Sequence, residues 1–190
     1  MKATKLFGAV GLAAGLTVAS IAVAGAASAG PPLNERFHEE STEIIDNYCD
    51  VPGLTVRSDV ALDGRILIHS GQQAGFMEQV NGTFVDTNVA NGKAISGAFH
   101  TIQKALHATD NGDGTLTVLF LATGNDVTYG PDGKAIARNP GQIRFEVLID
   151  NNGTPNDPSD DEPIAVLRLV KESTGRTDDF CAAAVPALSD

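Results

Sequence analysis

Recurrent tight-turn steps constrain this chain more than any other feature. Pro52-Gly53, Asp63-Gly64, Asn81-Gly82, Asn91-Gly92, Asp113-Gly114, Pro131-Asp132-Gly133 and Asn152-Gly153 punctuate it at short intervals. Such steps supply the left-handed backbone that tight hairpin loops need, so their repetition predicts a meander of antiparallel strands. The runs between them alternate. Leu54, Val56, Val60 and Leu62 share one face, with Thr55, Arg57, Asp59 and Ala61 on the other. Ile143, Phe145, Val147 and Ile149 oppose Gln142, Arg144 and Glu146 in the same way. A period of two is that of a strand with one buried face. Leu116 to Ala122 is apolar on both faces at its centre and is expected to be the most buried strand. Ile164 to Val170 gives a further strand, interrupted by Arg168.

Two stretches fit either period. Phe37, Ile44, Ile45 and Tyr48 trace a helical stripe, as do Ala98, Ile102, Ala105 and Leu106. Both lie between turn steps in a β-patterned chain, and both are assigned to strands. The sum is seven to nine antiparallel strands in an all-β domain over residues 37–185, preceded by a linker at 30–36 and followed by a tail at 186–190.

The first 29 residues have the layout of a secretion signal. Lys2 and Lys5 precede an apolar run from Leu6 to Ala24, and Ala27-Ser28-Ala29 is the small-x-small pattern of a cleavage site. Export to the outside of the cell is therefore expected, with no further membrane segment. The whole chain has 13 basic and 24 acidic residues; cleavage takes away two lysines and leaves 11 against 24, a net charge of −13. A surface this negative excludes nucleic acid as a partner, because affinity for it comes mainly from neutralising phosphates.

Cys49 and Cys181 both fall in the exported part, and in an oxidising compartment two such cysteines pair. On a chain-entropy account a bridge over so long a loop contributes roughly 4–5 kcal/mol. It also joins the chain's two ends, which favours closure of the meander into a β-barrel over a β-sandwich, since closure is the way to leave no free sheet edge.

Little in the chain points to catalysis. His38, His69, His100 and His107 are scattered, and on a regular strand His100 and His107 would face opposite ways. There is no Gly-x-Ser-x-Gly elbow, no Gly-rich phosphate loop and no Cys-x-x-Cys pair. No Trp and only two Tyr, Tyr48 and Tyr129, argue against a sugar-stacking platform. The segment 150–162 is the most unusual. Asp150, Asn152, Asp157, Asp160, Asp161 and Glu162 offer the oxygens that calcium takes, in an order that does not match an EF-hand, while two prolines and many small polar residues equally make a plain hairpin loop. Calcium is the only cofactor the sequence suggests.

The stretches Thr109–Leu119, Val127–Glu146 and Ser173–Cys181 resemble those of a group of small secreted actinobacterial proteins, over most of the mature chain. The resemblance implies an exported bacterial protein and carries over no functional residues. More distantly, the meander is similar in layout to lipocalin-like and allene-oxide-cyclase-like barrels. That likeness is of fold alone.

Three functions follow. The first is a non-enzymatic module enclosing a small apolar ligand, with Arg144 and Arg168 either solvated or facing the ligand's acid group. The second is a surface-interaction or inhibitor-type protein that engages an extracellular protein through loops such as 150–162. The third is a cyclase- or isomerase-like enzyme, for which His100, Glu78 and Arg168 are the candidate groups. An enclosed cavity would separate the first and third from the second.

Overall fold

The computed structural model describes residues 33–69 and 71–189; the expected signal, 1–29, lies outside the described residues. Eight strands and one helix follow in order: β1 (Leu33–Ile45), a 3₁₀ turn (Tyr48–Asp50), β2 (Val56–Ile68), β3 (Phe76–Asn88), β4 (Ala94–Asp110), β5 (Thr115–Tyr129), β6 (Ala135–Arg138), β7 (Gly141–Asp150), β8 (Glu162–Lys171) and α1 (Phe180–Ser189). All strands join one antiparallel sheet in the order β1-β2-β3-β4-β5-β7-β8, with the short β6 also on β5. The all-β meander is thus present; the second ambiguous stretch lies wholly in β4, and the first lies in β1 except for Tyr48, which falls in the 3₁₀ turn.

Two of the turn steps are not turns. Asp63-Gly64 and Asn81-Gly82 lie inside β2 and β3, and neither glycine has the positive φ found at Gly53, Gly92, Gly114 and Gly133. Their role is to leave room. Gly64 stands opposite Phe37, Gly82 opposite Phe99, and Gly97 opposite Phe84; in each pair the ring covers the glycine where a β-carbon would overlap it. Aromatic rings packed on cross-strand glycines recover contact that a bare glycine forfeits in a sheet.

Register assigns every strand residue to a face. Val56, Val60 and Leu62 share the apolar face with Phe84, Ile95, Leu116, Val118, Phe120, Val147 and Ile149. Two buried clusters sit on that face, one at each end. Leu116, Val118 and Phe120 pack with Ala108, Val147 and Ile149, which makes β5 the most buried strand, as its sequence predicts. Here the 69–75 loop meets the β7–β8 loop, with the Gly71 N–H donating to the Asn156 carbonyl at 2.8 Å.

At the other end Tyr48, Leu54, Val56 and Ile95 are covered by Ala184 and Leu188 of α1. The helix takes in most of the expected tail, and β1 begins at Leu33 inside the expected linker. Asp179 caps the helix, its Oδ1 accepting from the Ala182 N–H at 3.0 Å, and Ala182 to Ala184 propagate it. Leu188 is fully buried, and its carbonyl accepts from the side-chain amides of Asn88 and Asn91 at 3.0 and 2.9 Å.

Closure into a barrel is not supported. Among the described residues β1 and β8 are the two edges of an open sheet. The Cys49–Cys181 disulfide is present, with its Cα atoms 5.6 Å apart. However, Cys181 belongs to α1, which packs on β3, β4 and β6. The ends of the chain are joined by a helix laid across one end of the sheet, so the bridge imposes no pairing between first and last strands.

Candidate interaction surface

Among the described elements β8 is the least protected. All ten of its residues are exposed, five of them large and apolar: Ile164, Val166, Leu167, Leu169 and Val170. Its pairing with β7 is interrupted by three bulges. Pro163, Ala165, Val166, Arg168 and Leu169 have partners on β7, whereas Ile164, Leu167 and Val170 are passed over. The three residues that the bulges leave unpaired are therefore all apolar, and they are 53, 48 and 45 % exposed. Beyond them, among the described residues, the outer backbone edge has no strand beside it.

Charge divides the two faces. Every Arg, Lys and His in the strands falls by register on the polar face: Arg57, Arg65, His100 and Arg144 are examples, with Arg168 opposite Glu146. The apolar face carries acids only, among them Glu39, Glu78, Asp86 and Asp126. Burial, and then the nearby Glu39 carboxylate, hold the Glu78 carboxyl above its usual range; burial alone does the same to Asp126. Asp86 is buried and accepts a hydrogen bond from the Tyr48 hydroxyl, and burial together with that carboxylate pushes the hydroxyl's pKa up. One carboxylate oxygen of Asp86 and one of Asp126 are buried without a partner.

The enzyme candidates do not converge. Glu78 is on the apolar face of β3, whereas His100 and Arg168 are on the polar face of β4 and β8. His100 Nδ1 is 2.8 Å from Asn81 Oδ1, and Arg168 makes a bidentate pair with Glu146 at 2.6 and 2.9 Å. Arg168 is thus solvated on the polar face, and Arg144 shares that face. A bulge between Ala105 and His107 puts His107 on the same face as His100, contrary to the expectation for a regular strand. Seven residues still separate them by roughly 20 Å along the strand, too far to share a ligand.

Among the described residues no group of three or more His, Cys, Asp or Glu side chains is placed to hold a metal ion. In the β7–β8 loop the carboxylates are taken up by the loop itself. Asp150 accepts from the Asn152 N–H, Asp157 from the backbone and hydroxyl of Ser159, and Asp160 from the Thr154 hydroxyl. Asp161 is the exception. One of its oxygens is buried without a partner, and burial, with Asp160, Asp157 and Asp150 nearby, raises its pKa to about 7.

Compared with protein-family models, with curated proteins and with solved structures, the chain matches none of them. Two clefts on the sheet are open troughs. One of about 550 Å³ runs along β1, β2 and β3 between Glu40 and Val85; another of about 320 Å³ is lined by Ile44, Arg57, Thr87 and Val89. Neither is an enclosed chamber.

The β8 strand is legible in the sequence, but its place at the edge of the sheet is not. The signal was there in Ile164-Ala165-Val166-Leu167, which has no alternation and no charge; with its last neighbour known, that run marks an apolar edge.

Proposed function

We propose that this protein is exported and works without catalysis, as a surface-interaction module that takes an extended segment of another protein against β8. The observation that carries this reading is the free edge itself, with its bulge residues Ile164, Leu167 and Val170 exposed. An added strand would satisfy the outer backbone groups of β8 and cover its apolar side chains, the mode of β-strand addition. Export is supported by the signal-like segment 1–29, by the resemblance to secreted proteins, and by a disulfide of the kind that persists in oxidising compartments. A sandwich-like doubling of the sheet, with the 69–75 loop drawn toward 151–161, would leave the same edge free.

The test is a photo-crosslinking residue placed at Leu167 and, separately, at Glu39 on the opposite edge. Adducts with one extracellular protein from Leu167 only, abolished by Val166→Glu, are the expected result. Equal labelling from both edges would remove the case for β8.

A second reading rests on the charge division. An apolar face with acids and no bases suits a small apolar ligand bearing a positive charge, held on the open face beside a carboxylate such as Asp126. A long-chain alkylammonium should then bind and the matching carboxylate should not; Asp126→Asn should weaken the ammonium's binding severalfold.

A further inference from the structure

We infer that the strand occupying β8 when no other partner is present is the β8 of a second copy, paired antiparallel about a two-fold axis. The inference rests on the reading of β8 as the pairing edge and names its occupant. A two-fold interface is self-complementary: if residue i meets residue j, j meets i. A register centred between Val166 and Leu167 pairs all ten residues of the strand. Ile164 meets the partner's Leu169, Val166 meets the partner's Leu167, and Pro163 meets the partner's Val170. Glu162 meets the partner's Lys171, and by symmetry this happens at both ends. Moving the register by one residue in either direction sets Arg168 against an apolar residue, Ile164 or Val166, and breaks both Glu–Lys pairs.

The faces agree as well. Glu162, Ala165, Arg168 and Lys171 are paired to polar-face positions of β7, and the register matches these four only with one another. It matches each apolar-face residue, Pro163, Val166 and Leu169, with a residue that a bulge leaves unpaired. Glu162 and Lys171 make no ion pair among the described residues, so both charges are free for the partner. Arg168, held by Glu146, faces only the partner's Ala165. Opposite charges on directly facing strand positions favour a register, and like charges oppose it.

The experiment is sedimentation equilibrium on the oxidised mature protein. A dimer is expected. Lys171→Glu sets one carboxylate against another at both ends of the interface and should raise the dimer's dissociation constant roughly tenfold or more. Adding Glu162→Lys to the same chain restores both pairs in reverse and should restore the dimer. This rescue separates a specific register from a general loss of folding, which circular dichroism checks in parallel. A wild-type protein that is monomeric at high micromolar concentration overturns the inference, as does a dimer indifferent to Lys171→Glu. A monomer that still crosslinks another protein through Leu167 overturns the inference but leaves the proposed function standing. A Leu167 edge that pairs with nothing ends both.

Discussion

β1 and β8 are free edges of the same sheet, yet six of the thirteen residues of β1 are charged or histidine, against three of ten in β8. Glu35, Arg36, His38, Glu39, Glu40 and Glu43 spread along β1, so any strand laid beside it must bury or face charge. On β8 the run Pro163 to Leu167 has none. Its guards are of another kind: three bulges that twist the edge, and a proline that removes one N–H near its start. Both devices are known protections against edge pairing, but they differ in reach. Charge opposes any partner, whereas bulges and a proline admit the one whose register accommodates them. The difference teaches that charge guards one edge of this sheet and backbone irregularity the other.

The largest effect should come from exchanging the two plans. Replacing Glu35, Glu39 and Glu43 by valine would give β1 an apolar edge too; with β8 unchanged, head-to-tail pairing becomes open to propagation, and light scattering should reveal large assemblies. Conversely, Val166→Glu with Leu169→Glu should leave β8 as inert as β1, giving a monomer by sedimentation with little loss in melting temperature, since both residues are already exposed.

Next in size is the attachment of β1 to the sheet. Gly64→Ala puts a β-carbon where the Phe37 ring lies. Displacing that half-buried ring should cost about 1–3 kcal/mol in urea unfolding and speed amide exchange in β1 while β8 is unchanged.

A smaller effect concerns the start of β8. The Asp161 carboxyl holds its proton up to about pH 7 in the folded protein but loses it near its usual value when unfolded. Between those values the folded state binds more protons, so stability falls as pH rises through the window. Asp161→Asn should therefore raise the melting temperature at pH 8 and leave it nearly unchanged at pH 4. Smallest of all is Arg168→Ala. Its pair with Glu146 is solvent-exposed on the arginine side, and water and salt screen it, so the melting temperature should barely move. That pairing holds the Glu146 carboxyl below its usual range, so what little it contributes is lost as pH falls through the carboxylate region.

Most of the fold was legible because its cause is local. Alternation in Leu54–Leu62 and Gln142–Ile149 assigns faces without knowledge of any neighbour, and the register agrees with both runs. What the sequence hid depended on partners distant in the chain. Gly64 and Gly82 carry turn-like neighbours, and only Phe37 and Phe99 across the sheet show why a glycine is needed in mid-strand. The helix α1 is short, contains Pro186 and has little amphipathic pattern; its stability comes from Leu188 inserted beside Ile95 and from the bond to Cys49. The β8 edge was hidden for the same reason, since apolar residues in sequence read as core until the strand that fails to cover them is known.

The disulfide has a bearing on how this protein meets proteases. Cys49 and Cys181 are 132 positions apart, and the loops at 69–75, 89–93, 111–114, 130–134 and 151–161 all fall between them. The sheet from β2 to β8 is thus a covalent ring. A single cut in any of those loops opens the ring without releasing a piece, and both sides of the nick stay tethered at the concentration of one molecule in its own volume. The severed strands can re-pair as often as they part, so a nicked chain keeps its shape until a second cut, or a reductant, divides it.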